Sequence, residues 1–416
     1  MKISLIPLIR RFVLATSSLP FFQIYQAFYR LVTRMAPCIF KKYPMIKEMS
    51  RIRSVRVMLA EKIERVTIRS AGSFLFYDEE THQQLGSGAD QLMVVSPSPR
   101  GGLTVQASQS GTTSMARVVR FVSEQPIGVE ENIYRGHIVV RCMGETLLVI
   151  NTVGIEEYLK GVVPAEILSS APTEILSRVP METLKAQAVA SRTFACYRIL
   201  LNRPVHDVDA TVLTQIYKGV GVETTASSAA VEDTAGEVLA YGDQLAYTLF
   251  HSNCGGMTED FKHVWGRAVP YLLPVDCPCC SWSQASCWRL KLQKEELTTL
   301  LKSHTQEAAV TDMEIASLTP SGRVKTLRII TEHGAWKIRL NALRHAVGVD
   351  RLRSGRFSIV NSKESVLFEG TGWGHGVGMC QNGAIELARK GYSYQEILKK
   401  YYPGTRLCRV ARLREK

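Results

Sequence analysis

The sequence contains no internal repeat and no low-complexity tract, which argues against a repeat architecture and against a long unfolded polar segment. It also has no arginine-rich run and no ladder of aromatic residues, so we expect no nucleic-acid partner. Acidic residues are scarce near the start, because residues 1–50 hold eight Lys/Arg and a single acid, Glu48, in a chain of formal net charge +13. A cationic surface close to an anionic membrane or wall polymer explains this charge.

A clean cleavage site with small residues at the usual spacing is missing before Lys41. Arg10 and Arg11 precede an uncharged run from Phe12 to Tyr29, which is 18 residues long and is interrupted by a proline and two glutamines. This length is borderline for a secretory signal and for a spanning helix, which needs about 20 mostly apolar residues. We favour an uncleaved signal anchor, and the alternatives are a cleaved or mis-started signal and a soluble basic arm.

The chain of 416 residues, 45% apolar and 21% charged, has the composition of a globular protein large enough for more than one lobe. Short β-like segments such as SFLFYD, LMVVSP and HIVVRC, separated by turns, fill the region from Val55 to Ile150. A helical region begins at Glu156 and includes METLKAQAVASRTFACYRIL, and strand-like segments resume at TQIYKGV, EVLAYG and LAYTLFHS. We predict an α+β fold with a mixed, β-rich core and a few helices that line a cleft.

The predicted domains are a basic N-terminal segment at 1–50, a β-rich part at 51–145, a core at 146–290, a peripheral lobe at 291–365 and a C-terminal part at 366–416 that completes the core. Mixed strands and two short helices characterise the lobe. In the C-terminal part, MCQNGAIELARK predicts a helix closed by Gly391, and Ser393 with Glu396 predicts a capping box for the last helix.

One carboxylate stands out in EEYLKGVVPAEI, where Glu166 follows Pro-Ala near an expected helix start. A glutamate in such a place is often only a partner of the helix dipole. Here the apolar residues 162–165 precede it, and the loss of hydration would raise its pKa. A carboxyl group with a raised pKa can protonate a leaving oxygen at neutral pH, so Glu166 is the candidate catalytic residue.

The segment TGWGHGVGMCQNGA, from Thr371 to Ala384, has glycine at alternate positions. One side of it is therefore bare, so a ligand or other backbone can approach closely. Trp373 offers a flat face of the kind on which sugars stack, His375 precedes a helix whose dipole disfavours an imidazolium, and Gln381 can hydrogen-bond a ligand. A tight structural crossing around a buried tryptophan is the alternative interpretation.

Other candidates lie between these two segments. HSNCGG, which contains His251 and Ser252, ends a predicted strand in a turn and forms a second polar and aromatic rim with Trp265. A hydrogen-bonded core residue is the simpler interpretation of His251. On the long helix, Lys185 and Arg192 lie seven residues apart and share one face.

Four of the ten cysteines fall within eleven residues, and Cys254 lies upstream of them. A zinc site or a disulfide explains such clustering. Cys277 and Cys280 form a CxxC pair, and Cys254 with either His251 or Cys287 could complete four zinc ligands. We expect no catalytic use of these thiols and no required cofactor.

Several motifs, in order, resemble the stage II sporulation protein D family, also described as the SpoIID/LytB or amidase-enhancer domain. NTVGIEEYLKGVVPAEI matches its block of Asn followed by Glu-x-Tyr-Leu-x-Gly-Val-Val-Pro-x-Glu, and LKAQAVASRTFA matches its Leu-Lys-Ala-Gln-Ala-Val-Ala-x-Arg-Thr helix. TQIYKG, HSNCGG, the pair Trp265-Gly266, GWGHGVGMCQNGA and GYSYQEILKKYYPGT follow in the expected order. The resemblance runs from residue 53 to 408.

The resemblance implies a lytic transglycosylase of bacterial cell-wall remodelling, which cleaves peptidoglycan strands stripped of stem peptides and leaves 1,6-anhydro-muramic ends. It places the catalytic glutamate at Glu166, and no second carboxylate has to position a water, unlike in an inverting hydrolase. The implied partners are the denuded glycan, an amidase acting upstream and, through the N-terminus, the inner membrane on its periplasmic side, with cell division as the setting. The candidate substrate-binding residues are Lys185, Arg192, Gln215, His251, Ser252, Trp265, Trp373, His375 and Gln381.

We add the inference that Lys185 or Arg192 pairs with the lactyl carboxylate that stripped strands expose. The chain also departs from the family pattern. HDVDATVLTQIYKG lacks the cysteines of the zinc segment that sporulation members carry there, 167–179 is longer than usual, and Cys380 and Asn382 stand where Ser and an aromatic residue are common. Two other functions stay open, a non-catalytic glycan binder that stimulates an amidase and a metal-stapled structural protein.

Overall fold

The computed structural model describes residues 44–89, 92–99, 101–107, 113–168, 179–281 and 286–410. The chain divides into two compact units, and the second of them starts at Pro44. The predicted signal anchor falls on residues 1–43 and lies outside the described residues. Among the helices of the described ranges, none combines the length and the apolar character that crossing a membrane requires.

Strands make up most of the regular structure and are short. They are β1 (Ser54–Ile63), β2 (Val66–Ser70), β3 (Ser73–Asp78), β4 (Gln84–Ala89), β5 (Leu92–Pro97), β6 (Leu103–Ala107), β7 (Thr113–Met115), β8 (Val118–Ser123), β9 (Ile127–Val129), β10 (Asn132–Tyr134), β11 (His137–Cys142), β12 (Leu147–Gly154), β13 (Val208–Asp209), β14 (Glu237–Tyr241), β15 (Gln244–Leu245), β16 (Phe250–His251), β17 (Cys287–Gln293), β18 (Val310–Leu318), β19 (Val324–Thr331), β20 (Gly334–Arg339), β21 (Arg356–Asn361), β22 (Ser365–Thr371), β23 (Met379–Cys380) and β24 (Arg406–Arg409).

The helices lie mainly in the second half of the chain. They are α1 (Ile155–Leu168), α2 (Met181–Leu200), α3 (Thr225–Asp233), α4 (Phe261–Trp265), α5 (Lys294–Thr305), α6 (Leu340–Val347), α7 (Gln381–Arg389) and α8 (Tyr394–Tyr401), with 3-10 turns at Ile46–Arg51, Gly219–Val222 and Pro278–Ser281. This β-rich mixture of separate sheets and helices confirms the predicted α+β class.

Two sheets build the N-terminal part. One has the strand order β13-β1-β12-β11-β8-β3-β4 and the other the order β10-β9-β2-β5-β6-β7. The predicted segments SFLFYD, LMVVSP and HIVVRC are β3, β5 and β11 with unchanged bounds, which confirms these predictions. In β3, Phe74 and Phe76 are buried while Ser73 and Leu75 are exposed, which is the alternation expected of a strand with one face in the core.

Helix α2 is the central element of the core. It begins and ends at the predicted residues, and it contacts α1, α3, α7, α8 and β14. Ala186, Ala188 and Ala190 are fully buried, and their short side chains allow several neighbouring elements to approach this helix closely.

A lobe with its own hydrophobic core interrupts this arrangement. Strands β17-β22-β21 and β18-β19-β20 form two three-stranded sheets, and with α5 and α6 they bury side chains such as Leu292, Leu297, Leu327 and Phe368. After the lobe, β23 pairs with β16 and β24 pairs with β14, so the chain returns to the core that it left. The exact domain boundaries stay a prediction.

Three predictions about local structure are wrong, one of them in part: in LAYTLFHS only Leu245 and Phe250–His251 belong to strands, and 246–249 are irregular. TQIYKGV forms no strand, because the chain is irregular there and continues into the 3-10 turn at Gly219–Val222. Helix α1 spans Ile155–Leu168, so Glu166 lies in its last turn and not near its start. Pro164 sits inside this helix despite removing a backbone donor, and it is buried, so packing offsets the missing hydrogen bond.

Candidate functional site

Glu166 brings three distant sequence motifs together. Its side chain is buried, with 7% of the residue exposed. Its Oε1 accepts a hydrogen bond from the backbone N–H of Ile216 at 2.6 Å, and the side chain of Gln381 also hydrogen-bonds the carboxyl group. The helix of the glutamate motif, the segment TQIYKG and the start of α7 therefore meet at one carboxyl group.

The surroundings of Glu166 favour its protonated form. Burial raises the pKa of Glu166 to about 7, and the hydrogen bonds from Ile216 and Gln381 oppose only part of that rise. A carboxyl group with a pKa near 7 can both give and take a proton at neutral pH.

A chain of buried amide side chains supports this carboxyl group. Gln381 Nε2 donates to Gln187 Oε1 at 3.4 Å, and Gln187 Nε2 donates to Ser191 Oγ at 3.0 Å. Gln215 is fully buried, donates to the Ser191 carbonyl at 3.3 Å and accepts from the Tyr158 hydroxyl at 3.1 Å. The structure thus contradicts the prediction that the Gln215 side chain contacts substrate; it is held inside the core behind the site.

The glycine-rich segment crosses the strand β16 and its flanks at very short range. Gly372, Gly374, Gly376 and Gly378 all have positive φ. A Cβ atom on Gly378 would lie 2.0 Å from the carbonyl oxygen of Leu249, and one on Gly372 or Gly374 would meet 251–253 at 2.8 Å. The bare side of the segment therefore faces other parts of the protein at close range, as in a tight structural crossing. It meets backbone at Gly372 and Gly378, the Cβ of His251 at Gly374 and the guanidinium group of Arg323 at Gly376.

An aromatic rim, formed by His251, Trp265 and His375, lies on this crossing. The His375 ring centroid is 5.6 Å from that of His251 and 5.3 Å from that of Trp265, which is 39% exposed. Burial, together with nearby Arg323, lowers the pKa of His251 to about 3, and burial holds the pKa of His375 well below its usual value. Both rings are neutral at physiological pH, and burial, not the helix dipole, is the main cause.

Trp373 lies outside this rim. It exchanges backbone hydrogen bonds with Asn253, and the guanidinium carbon of Arg353 lies 4.5 Å from its ring centroid. A cation stacked at this distance occupies one face of the indole. The half-buried Trp373 therefore offers a sugar less free surface than Trp265 does.

Ser252 connects the aromatic rim to the start of α7. Its carbonyl oxygen accepts a hydrogen bond from the Asn382 N–H at 3.1 Å, and the neighbouring His251 pairs with Cys380 in the parallel β16–β23 bridge. Gln381 lies between Cys380 and Asn382. These two contacts therefore connect the HSNCGG segment to Gln381, the residue that contacts Glu166.

The structure contradicts the assignment of Arg192 to a substrate carboxylate. Arg192 is fully buried, and its Nε and Nη2 donate to the two carboxylate oxygens of Glu156 at 2.8 and 2.6 Å. Its Nη1 donates to the carbonyl of Glu237. This bidentate pair ties α2 to α1 and leaves the guanidinium no path to a ligand.

Lys185 is also engaged within the protein. Its Nζ lies 2.9 Å from a carboxylate oxygen of Asp233 and 3.8 Å from one of Glu182, and 20% of its side chain is exposed. The pairing joins α2 to α3. Within the described part of the chain, these ion pairs include none of the residues around Glu166, so they do not support the predicted role of Lys185 in substrate binding.

The cysteines converge differently from the predicted set. The sulfur atoms of Cys254, Cys277, Cys280 and Cys380 are buried and all lie within 4.8 Å of one another. Cys287, which was considered as a ligand, is exposed on β17. The fourth member is Cys380, which stands where a serine is common in the family and which the predicted ligand set did not include.

The comparisons with known proteins agree with this core. A family model described as Stage II sporulation protein matches residues 143–241, which contain Glu166, α1 and α2. A Bacillus amyloliquefaciens protein named Stage II sporulation protein D is 30% identical, over 61% of this chain and 74% of its own length. The chain belongs to the stage II sporulation protein D family.

Other relatives extend this family match. An uncharacterized protein of Brachyspira hyodysenteriae is 31% identical over 84% of this chain and 91% of its own length. A Bacillus subtilis protein named Amidase enhancer is 28% identical over 60% of this chain, which spans 40% of that relative. A model of a domain of unknown function, DUF8618, matches residues 281–378 of this chain. The lobe of this stage II sporulation protein D family member therefore has a family model of its own.

Proposed function

We propose that this protein is a lytic transglycosylase that cleaves peptidoglycan strands lacking stem peptides, with Glu166 as its catalytic residue. The observation that carries the proposal is the buried carboxyl group of Glu166, whose pKa is raised to about 7 and which Ile216 and Gln381 hold in place. Such a group is mostly neutral in slightly acidic surroundings and is still easily ionised.

In the proposed reaction, protonated Glu166 gives its proton to the glycosidic oxygen as the bond from that oxygen to C1 of the muramic sugar breaks. The carboxylate then takes the proton of the 6-hydroxyl of the same sugar while O6 bonds to C1. The products are a free hydroxyl on the leaving sugar and a 1,6-anhydro ring, so no water is consumed and Glu166 ends protonated.

The hydrogen-bond partners of Glu166 fit a reaction that uses one carboxyl group. Those that the structure describes are a backbone N–H and an amide side chain. A hydrolase of the inverting kind needs a second carboxylate across the sugar to activate water. The neutral histidines of the aromatic rim and the exposed face of Trp265 supply hydrogen bonds and a stacking surface suited to an uncharged sugar ring.

We place the protein on the periplasmic side of the inner membrane, tethered through the basic and apolar residues 1–50, where it acts after an amidase during wall remodelling at division. The order follows from the substrate, because an amidase must remove the stem peptides before stripped strands exist.

The test is to incubate the full chain with amidase-treated glycan strands and to measure 1,6-anhydro ends by mass spectrometry. We expect Glu166→Gln to lower their formation by a factor of about 100 or more, since general acid–base catalysis contributes that much. The matched control is Glu314→Gln, the same change at a lobe residue with a side chain 51% exposed, which should act like wild type. Undiminished product from Glu166→Gln, or no product from wild type, would contradict the proposal.

A second candidate function rests on the relative named Amidase enhancer. In that case the protein binds stripped strands without cutting them and stimulates a cell-wall amidase. Amidase stimulation that is equal for wild type and Glu166→Gln, together with intact retained strands, would favour this function over catalysis.

A further inference from the structure

Four buried cysteines from three separate segments meet beside the glycine-rich crossing. Cys254 comes from the turn after β16, Cys277 and Cys280 come from the loop before β17, and Cys380 ends β23. The Sγ atoms of Cys277 and Cys280 are 3.3 Å apart, and those of Cys280 and Cys380 are also 3.3 Å apart. The four sulfur atoms therefore lie together in one buried cluster.

These distances match a single metal ion better than disulfides. A disulfide requires sulfurs about 2.05 Å apart, in pairs. Four thiolates at about 2.3 Å from a tetrahedral zinc ion lie about 3.8 Å from one another. In the observed grouping every pair of sulfurs lies within 4.8 Å, and the two 3.3 Å separations share Cys280, so the four sulfurs divide into no two isolated pairs.

Hydrogen-bond donors surround the sulfur atoms. The backbone N–H groups of Cys254 and Gly383 donate to Cys380 Sγ at 3.3 and 3.4 Å, and the Tyr401 hydroxyl lies 3.1 Å from Cys277 Sγ. The CxxC pair is closed by a bond from the Cys280 N–H to the Cys277 carbonyl at 3.1 Å. Donors aimed at sulfur are the second shell that a metal-bound thiolate needs.

A buried cation lies beside the four cysteines. Arg323 from the lobe is 2% exposed, and its Nη2 donates to the carbonyl oxygens of Cys254 and Met257 at 2.6 and 3.0 Å. In the ranges that the structure describes, its Nε and Nη1 have no hydrogen-bond partner. A buried guanidinium needs nearby negative charge, and a zinc ion with four thiolates carries a net charge of about −2.

We propose that Cys254, Cys277, Cys280 and Cys380 bind one zinc ion in a tetrahedral site that fixes the start of α7. Cys380 is the N-cap of that helix, and its sulfur accepts from Gly383 in the first turn. The ion joins the turn after β16, the loop before the lobe and α7, and it takes no part in the reaction. The zinc site is independent of the proposed function, because it would exist equally in a non-catalytic binder.

The first experiment measures metal in the full chain, purified without chelator. We expect about one zinc per chain by plasma mass spectrometry. Replacement by Co²⁺ should give the absorption bands of tetrahedral cobalt with thiolate ligands. A metal-free chain with these cysteines in disulfides, found by alkylation in denaturant, would overturn the proposal, and so would iron in place of zinc.

The second experiment compares serine variants. Cys380→Ser and Cys254→Ser should each lose most of the zinc, whereas Cys196→Ser, a buried cysteine of α2, and Cys287→Ser, an exposed cysteine near the CxxC pair, should keep it. Zinc retained in Cys380→Ser, or lost in Cys287→Ser, would contradict the ligand set. If Cys380→Ser does not fold, the cobalt spectrum of wild type still decides between thiolate ligation and no site.

The third experiment tests the role in α7 without measuring activity. Zinc removal from the wild-type chain should increase hydrogen exchange at the backbone amides of 381–389, because the cap loses its anchor. Exchange in α5, which lies within the core of the lobe, should not change. Equal exchange in α7 with and without zinc would show that the ion does not hold this helix.

Discussion

At the scale of single residues, Glu166 shows that burial and not helix position sets the chemistry. The sequence motif is compatible with a carboxylate stabilised at a helix start, and the structure puts it at the opposite end. There burial opposes ionisation, and the hydrogen bonds from Ile216 and Gln381 favour it without offsetting the effect of burial. The local sequence identifies the residue, whereas its proton affinity depends on the core that surrounds it.

This proton affinity predicts how stability depends on pH. The folded protein holds the proton of Glu166 with a pKa of about 7, and the usual value is 4.5. The folded state therefore binds the proton more tightly than the unfolded chain, and stability falls as pH rises from 4.5 through about 7 and is constant above it. Glu166→Gln removes this dependence.

The measurement is the free energy of unfolding of wild type and Glu166→Gln in urea at pH 5.5 and pH 8. The difference between the two proteins should shift in favour of the variant by about 2 kcal/mol from the lower to the higher pH. Glu314→Gln should show no such shift. An unchanged difference at the two pH values would mean that the carboxyl group is ionised throughout.

At the scale of elements, a glycine can be required for its positive φ alone, or also because a side chain would collide with neighbouring backbone. Gly378 has φ +73° and Gly391 has φ +87°, so both disfavour any side chain. A Cβ atom on Gly378 would collide with the Leu249 carbonyl, while no atom of the described residues lies within 4 Å of one on Gly391. A side chain at Gly391 would therefore carry only the conformational cost of the positive φ, whereas one at Gly378 would also carry the cost of the collision.

Alanine substitution at these two glycines gives the corresponding prediction. Gly391→Ala should lower the free energy of unfolding by about 1 kcal/mol, the cost of a left-handed alanine. Gly378→Ala should cost about 3 kcal/mol or more, because the β16–β23 bridge must also move apart. Urea unfolding measures both, and equal losses would show that the crossing can relax around a methyl group.

Elements with a strong local signal could be predicted from the sequence. Helix α2 is rich in alanine and other helix formers, and the strands β3, β5 and β11 are rich in β-branched and aromatic residues or leucine; the bounds of all four are as predicted. The segment TQIYKGV has β-branched and aromatic residues but forms no strand, because its backbone N–H at Ile216 is used by Glu166 and the Tyr217 ring packs on Tyr158. Tertiary contacts there override the local preference.

At the scale of the whole molecule, the site is assembled from both halves of the core around an inserted lobe. Pairings such as Arg192 with Glu156, or Cys380 with Cys254, join residues far apart in sequence, and no local pattern encodes them. The family resemblance found Glu166 and the start of α7, but one sequence could not reveal that Arg192 is enclosed or that Cys380 completes the cysteine group.

Truncation tests this assembly. A chain that ends at Thr371 lacks α7, α8 and β24, and with them the fully buried side chains of Ile397, Tyr401 and Tyr402. We expect the core of this chain to show no cooperative thermal transition and the chain to bind a dye that reports exposed apolar surface. Cooperative melting of the shorter chain near the wild-type temperature would contradict this dependence on the C-terminal helices.

The long reach between Gln187 and Gln381, 194 positions apart, has a consequence for the order in which the site assembles. The ribosome makes the glutamate helix before the lobe and its amide neighbour on α7 after the lobe. A nascent chain thus carries the acid group without the partner that orients it. The hydrogen bond from Gln381 to Glu166 therefore forms only after α7 has been made and has docked on the core.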